Sequence, residues 1–202
     1  LRPNDEFNAN TKRVSLKYSH VLDDSKIIDY GEIDLRVFGN KSSRNFQWDF
    51  YDSSKDTDGN LGTSWSDTTQ DATHLRNSPR DFTVFGIEPT ASLLIDGDIS
   101  QHIIAGARYI NEDISYQLNH IDKSTQTATR PRDWQMDTNA MAYYVSNKVG
   151  FFDDTLSVTP GIRYEDVRMT FTNVGQDYSQ DNHVTEWLPG ITLGYEFSSN
   201  WF

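Results

Sequence analysis

In LSVTPGIRYE, residues 156–165, apolar Leu156, Val158, Pro160, Ile162 and Tyr164 alternate with Ser157, Thr159, Gly161, Arg163 and Glu165. Successive side chains of a strand point to opposite faces, so this stretch carries one apolar face and one polar face. The apolar face must lie against something, either a protein core or a lipid bilayer. Period alone leaves both open, because sandwiches, soluble barrels and membrane barrels alternate in the same way.

The pattern recurs along the chain. Val14, Leu16 and Tyr18 alternate with polar neighbours, as do Ile33, Leu35 and Val37, and Phe46, Trp48 and Phe50 do so in NFQWDF. Weaker stretches run over 82–88, 102–112 and 139–149, and EWLPGITLGYEF near the end repeats the strong form. With 156–165 these predict eight strands, and no segment has a helical period, so the chain reads as all-β. GNKSS near 39–43, IDGDIS near 95–100 and GFFDDT near 150–155 predict short turns, and LDDSK near 22–26 is also short. Polar stretches over 51–81, 119–136 and 173–184 predict long loops. Long connections alternating with short ones place the long ones together at one end of an antiparallel up-and-down sheet. Outer-membrane barrels are built this way.

Composition narrows the partners. The chain has 18 Lys+Arg against 30 Asp+Glu, a formal charge of -12, which argues against nucleic acid. With no Cys there are no disulfides, thiol nucleophiles or Cys-based zinc sites. Only 36% of residues are hydrophobic while 13% are aromatic. Trp48, Trp134, Tyr143, Tyr144, Tyr164, Trp187 and Tyr195 fall at strand ends or on apolar sides, as in the aromatic girdles of membrane barrels. The bland reading is the ordinary preference of aromatic residues for strands. No apolar run approaches the roughly 20 residues of a spanning helix. The chain opens on LRPNDEF, without a signal-like segment.

TNAMAYYVSNKVGFFDDTLSVTPGIRYEDV resembles a strand, periplasmic turn and strand from the barrel of TonB-dependent outer-membrane receptors. LPGITLGYEFSSNWF resembles the strand that follows, and FGIEPTAS with HIIAGARYINED an earlier hairpin. The likeness is to the branch that transports ferric dicitrate. It implies a transmembrane barrel of 22 strands, of which about eight lie within residues 1–202, placed in the outer membrane against lipid bilayer and lipopolysaccharide. It further implies active uptake of a ferric siderophore or citrate chelate, driven by the TonB complex through regions other than these. The chelate is cargo, no cofactor is expected, and the chain is no enzyme. The family's plug domain and energy-coupling box are not read in these residues. Two rival classes stand beside this reading. One is a complete eight-stranded barrel with a structural, adhesive or lipid-modifying role; the other is a soluble β-sandwich that binds carbohydrate.

An anionic chelate needs cationic donors, and the planar fork of Arg matches carboxylates. TRPRDW offers Arg130 and Arg132 beside Trp134, and an extended segment around Pro131 would send both guanidinium groups the same way. Arg76 and Arg80, near His74, are the second choice. The competing reading of each is solvation of an acidic protein's loops. Arg36, Arg108 and Arg163 fall on polar strand faces with Asp34, Glu112 and Glu165 nearby, and read as cross-strand ion pairs. Asp56, Asp58 and Asn60 before Gly62 echo a calcium loop, but Asp67 is a short substitute for its closing Glu, and turn chemistry suffices.

Overall fold

The computed structural model describes residues 5–22, 28–50 and 74–197. They form a single antiparallel sheet of seven strands in sequential order, from β1 (Glu6–Leu22) and β2 (Tyr30–Phe50) through β3 (His74–Ile95) and β4 (Ile99–Asp122) to β5 (Ala128–Phe151), β6 (Leu156–Asn173) and β7 (Tyr178–Tyr195). The all-β up-and-down reading stands, with seven strands where eight were expected. GNKSS is no turn: β2 runs straight through it, with Asn40 facing Arg13 on one side and Val84 on the other. Two expected strands are therefore one. The calcium-like stretch and most of the 51–81 loop lie outside the described residues.

The other two long loops are mostly strand. The β4–β5 connection contracts to residues 123–127, where the Asp122 carboxylate accepts hydrogen bonds from the Ser124 N–H at 2.8 Å, the Ser124 hydroxyl at 2.6 Å and the Thr125 N–H at 3.1 Å. An Asp binding the backbone just ahead of it replaces ladder partners that the chain loses in reversing. A short 3-10 turn over Val174–Gln176 joins β6 to β7. At the opposite end, Phe152, Asp153 and Asp154 reverse the chain with φ of 57°, 51° and 64°.

Register fixes two faces. Leu16, Val37, Ile87 and Tyr109 share one face, which continues through Met141 and Val145 on β5, Ile162 and Val158 on β6, and Leu193 on β7. On β3 and β5 the exposed residues in mid-strand, such as Thr83, Phe85, Asn139 and Tyr143, belong to this face, and their neighbours are half-buried. That asymmetry marks a curved sheet with the apolar face convex. A sandwich would bury this face against a second sheet. Instead Leu16 and Leu193 are 70% and 72% exposed, and the one apolar side chain buried among the described residues is Ala142. The soluble-sandwich reading fails on this point. Nor is the sheet closed among the described residues, since β1 and β7 are its edges.

Phe85, Tyr109, Tyr143, Tyr164 and Trp187 border the apolar band on the side toward residues 123–127. In register, Tyr18 is level with Trp187, yet the band on β1 reaches four residues further, to Val14. A slip of about 13 Å over about 29 Å of sheet means strands leaning on the order of 25° from the band's normal. This is the sense of tilt of membrane barrels.

On the concave face the Phe38 ring lies across Gly86, where an added Cβ would sit 2.2 Å from Phe38 Cζ. Gly86→Ala should therefore destabilise the barrel by about 1–3 kcal/mol. The temperature at which the folded protein loses its heat-resistant gel mobility reads this loss, and Phe38→Ala in the same chain should restore most of it.

Candidate functional site

The end of β2 and the start of β3 lie at the same end of the sheet as the 123–127 and 174–177 connections, the far end. Toward it the faces exchange character. On the convex face the apolar residues give way to Lys12, Lys41, Asn111, Asp113, Asp137 and His183. Asp113 and Asp137 stand directly opposite one another; the hydrogen bond that protonated Asp137 donates to Asp113, burial and the negative charge of Asp113 hold Asp137 above the usual carboxylate range.

The concave face near the 96–98 and 152–155 turns is polar. Lys17 on β1 pairs with Asp34 on β2 at 3.0 Å, a cross-strand ion pair made by Lys17 and not by Arg36, and Arg163 pairs with Glu165 at 2.7 Å along β6 and not across strands as expected. Arg108 differs: its Nε is buried with no hydrogen-bond partner among the described residues.

At the far end the concave face carries a run of arginines between aromatic rings. The Arg80 guanidinium lies 4.3 Å from the Tyr116 ring centre and 5.4 Å from that of Phe46. Arg132 lies 4.4 Å from the Trp134 ring and 5.1 Å from Tyr116, and its Nη1 donates to the Tyr116 hydroxyl at 2.7 Å. Trp134 meets Tyr116 edge-on at 5.6 Å and Phe171 at 5.6 Å, and Arg44 lies 5.5 Å from Phe82. Cross-strand register produces this: Phe46 faces Ser78, Arg44 faces Arg80, Arg80 faces Tyr116, and Tyr116 faces Trp134. Each cation–π contact contributes roughly 0.5–2 kcal/mol and fixes a guanidinium face, leaving its edge to hydrogen-bond in plane. Arg80 has no ion pair among the described residues, and its buried Nε has no hydrogen-bond partner there.

Arg132, Trp134 and Arg80 thus come together on one face, on strands and not on loops. Arg130 does not join them. The β4–β5 register shifts between Leu118 and His120, so that β5 carries an extra residue at 130–131. Pro131 has no N–H to place in the ladder, and a bulge is where a strand tolerates it. The Arg130 side chain is turned to Asn119 (3.0 Å) and Asp133 (3.0 Å), on the convex side. The expectation that both guanidinium groups face one way is corrected by this bulge. Arg76 stands further toward the far end, opposite Trp48 and His120. Sequence reasoning did not single out Tyr116, Phe46, Arg44 or Phe171; the signal was there as apolar residues out of phase with the band.

The family model described as TonB dependent receptor-like, beta-barrel, matches residues 1–202. The chain belongs to the TonB-dependent receptor β-barrel family. That is an outer-membrane family of transporters, not enzymes. Among solved structures the chain is similar to the ferric citrate transporter FecA in its unliganded form, with 20% identity and a TM-score of 0.74 over 98% of this chain and 27% of that one. It is also similar to BauA, the ferric preacinetobactin receptor of Acinetobacter baumannii, at 14% identity and TM-score 0.58, covering 96% of this chain and 29% of that one. The siderophore receptor PiuA of the same organism matches at 13% identity and TM-score 0.61, over 94% and 30%. The chain spans less than a third of each of these proteins, and at such identities the likeness is one of fold.

Burial pushes the Tyr116 phenol up, but its hydrogen-bonding to Ser78 and Arg132 and the charges of Arg132 and Arg80 outweigh it and hold the group below its ordinary value. A lowered phenol loses its proton at lower pH than a free tyrosine does. Arg132→Gln should move that titration upward, measured as the difference in phenolate absorbance between the two proteins; coincident curves would contradict the contact.

Proposed function

We propose that the chain is part of the wall of an outer-membrane receptor that takes up a ferric chelate of net negative charge, ferric citrate or a related siderophore, by TonB-coupled transport. The observation that carries this is the pair Arg80 and Arg132, held flat between aromatic rings, with Arg80 in no ion pair among the described residues. In a chain of net charge -12, a local cationic cluster counters the repulsion that an anionic ligand would meet. Family membership and the siderophore receptors among the structural relatives support the same class of cargo. In this reading the convex apolar band faces lipid, the polar convex residues beyond it meet the lipopolysaccharide headgroups, and the far end opens outside the cell.

Losing one charge-assisted contact removes about 1.5–3 kcal/mol, or roughly 10- to 150-fold in affinity. Arg80→Ala with Arg132→Ala should therefore weaken calorimetric binding of ferric citrate by the full-length receptor at least that much, with normal membrane insertion. Wild-type binding should weaken with added salt. Arg130→Ala, on the opposite face, is the control and should change little; unchanged affinity in the double variant would rule the pair out. For the lipid face, Leu193→Arg should cost about 2–4 kcal/mol in barrel stability if the site lies at mid-bilayer. A spin label at position 193 should be reached by oxygen dissolved in lipid.

A further inference from the structure

The concave wall between the arginine rim and the polar lower half is apolar on successive strands. Phe82 on β3 is level with Ile114 on β4, Met136 on β5 and Phe171 on β6; Thr138 faces Met169 one step nearer the turns, and Val167 faces Val184 one step beyond that. None of these side chains is buried, and Met169 and Val184 are 37% and 39% exposed. The patch spans about 24 Å across and 13 Å along the strands, with Glu112 and Thr138 interrupting it between Val84 and Met169. Barrel interiors are polar, and apolar patches of this size on a wet wall mark binding surfaces.

We infer that this wall holds the apolar part of the cargo: the ligand is an amphiphilic ferric chelate, anionic at one end and carrying an aryl or acyl group at the other. The inference rests on the reading of the rim as the anion site and makes it more specific. The rim and the patch are continuous, because Phe171 of the patch meets Trp134 of the rim edge-on at 5.6 Å. A chelate anchored by Arg80 and Arg132 would lay its remainder on Met136, Met169 and Val167. Ferric citrate, polar throughout, leaves that surface wet.

The test uses two ferric chelates with one donor set and one charge, citrate bis-hydroxamates bearing either acetyl or octanoyl arms, titrated into the full-length receptor. The octanoyl chelate should bind at least about tenfold more tightly, since each buried methylene adds affinity. Met136→Gln with Met169→Gln should abolish that preference, bringing octanoyl-chelate affinity down to that of the acetyl chelate. Equal binding of the two chelates by wild type would overturn the inference and leave the rim reading intact. So would a double variant that loses heat-resistant mobility in the absence of any chelate, because the patch would then be covered by the protein itself. If the acetyl chelate binds with an affinity indifferent to Arg132→Ala, the rim reading falls instead.

Discussion

Everything in this sheet hangs on backbone pairing between neighbours. A soluble domain draws most of its stability from apolar side chains packed against each other. Here the described residues bury one apolar side chain, Ala142, and expose leucines and valines on several strands. Each strand satisfies its peptide groups only through the strands beside it, so pairing along 17 to 24 residues is what holds the wall in shape. In hydrocarbon such pairing has no competitor, because no water is present to take the donors and acceptors. The two edges, β1 and β7, are where the same demand remains open among these residues.

From that constraint the division of labour follows. A ladder with period two gives every strand two independent faces, and the two are used differently at different heights. Near the 96–98 and 152–155 turns, apolar residues are convex and charges concave. Toward the far end this is reversed, and the concave face gains rings and guanidinium groups. The binding chemistry proposed for the rim therefore needs no mobile loop. Arg132 is positioned by Tyr116 and Trp134, which are themselves positioned by strand register.

The reversal also explains what the sequence made legible. Where a strand stays within the band, as in Leu156–Tyr164, alternation gave both the strand and its outward face. On β2 the apolar set passes from Ile33, Leu35 and Val37 to Phe46 and Trp48, a change from odd to even positions. A phase change reads as a break, so from sequence GNKSS looks like a turn and the later aromatics fall with the apolar side. The polar residues at 119–136 and 173–184 read as loops for a related reason: strands that stand clear of the band have no need of a continuous apolar face. The arginines of the rim were found by residue type alone. Their partners were not, because pairing Arg80 with Tyr116 takes a register that spans 36 positions of chain, which no local pattern encodes. The bulge at Pro131 was equally hidden, although the proline itself was visible.

That bulge bears on how such a wall can change its length over evolutionary time. Adding one residue to a strand exchanges the faces of everything beyond it, and adding two leaves the faces as they were. Insertions in these walls should therefore survive in even numbers, except where a residue without an N–H absorbs the odd one. Pro131 sits at such a place, and the exchange it causes falls on Arg130 and goes no further toward the band. A single odd residue there rewrites the mouth of the barrel and leaves the membrane-level part of the same strand untouched.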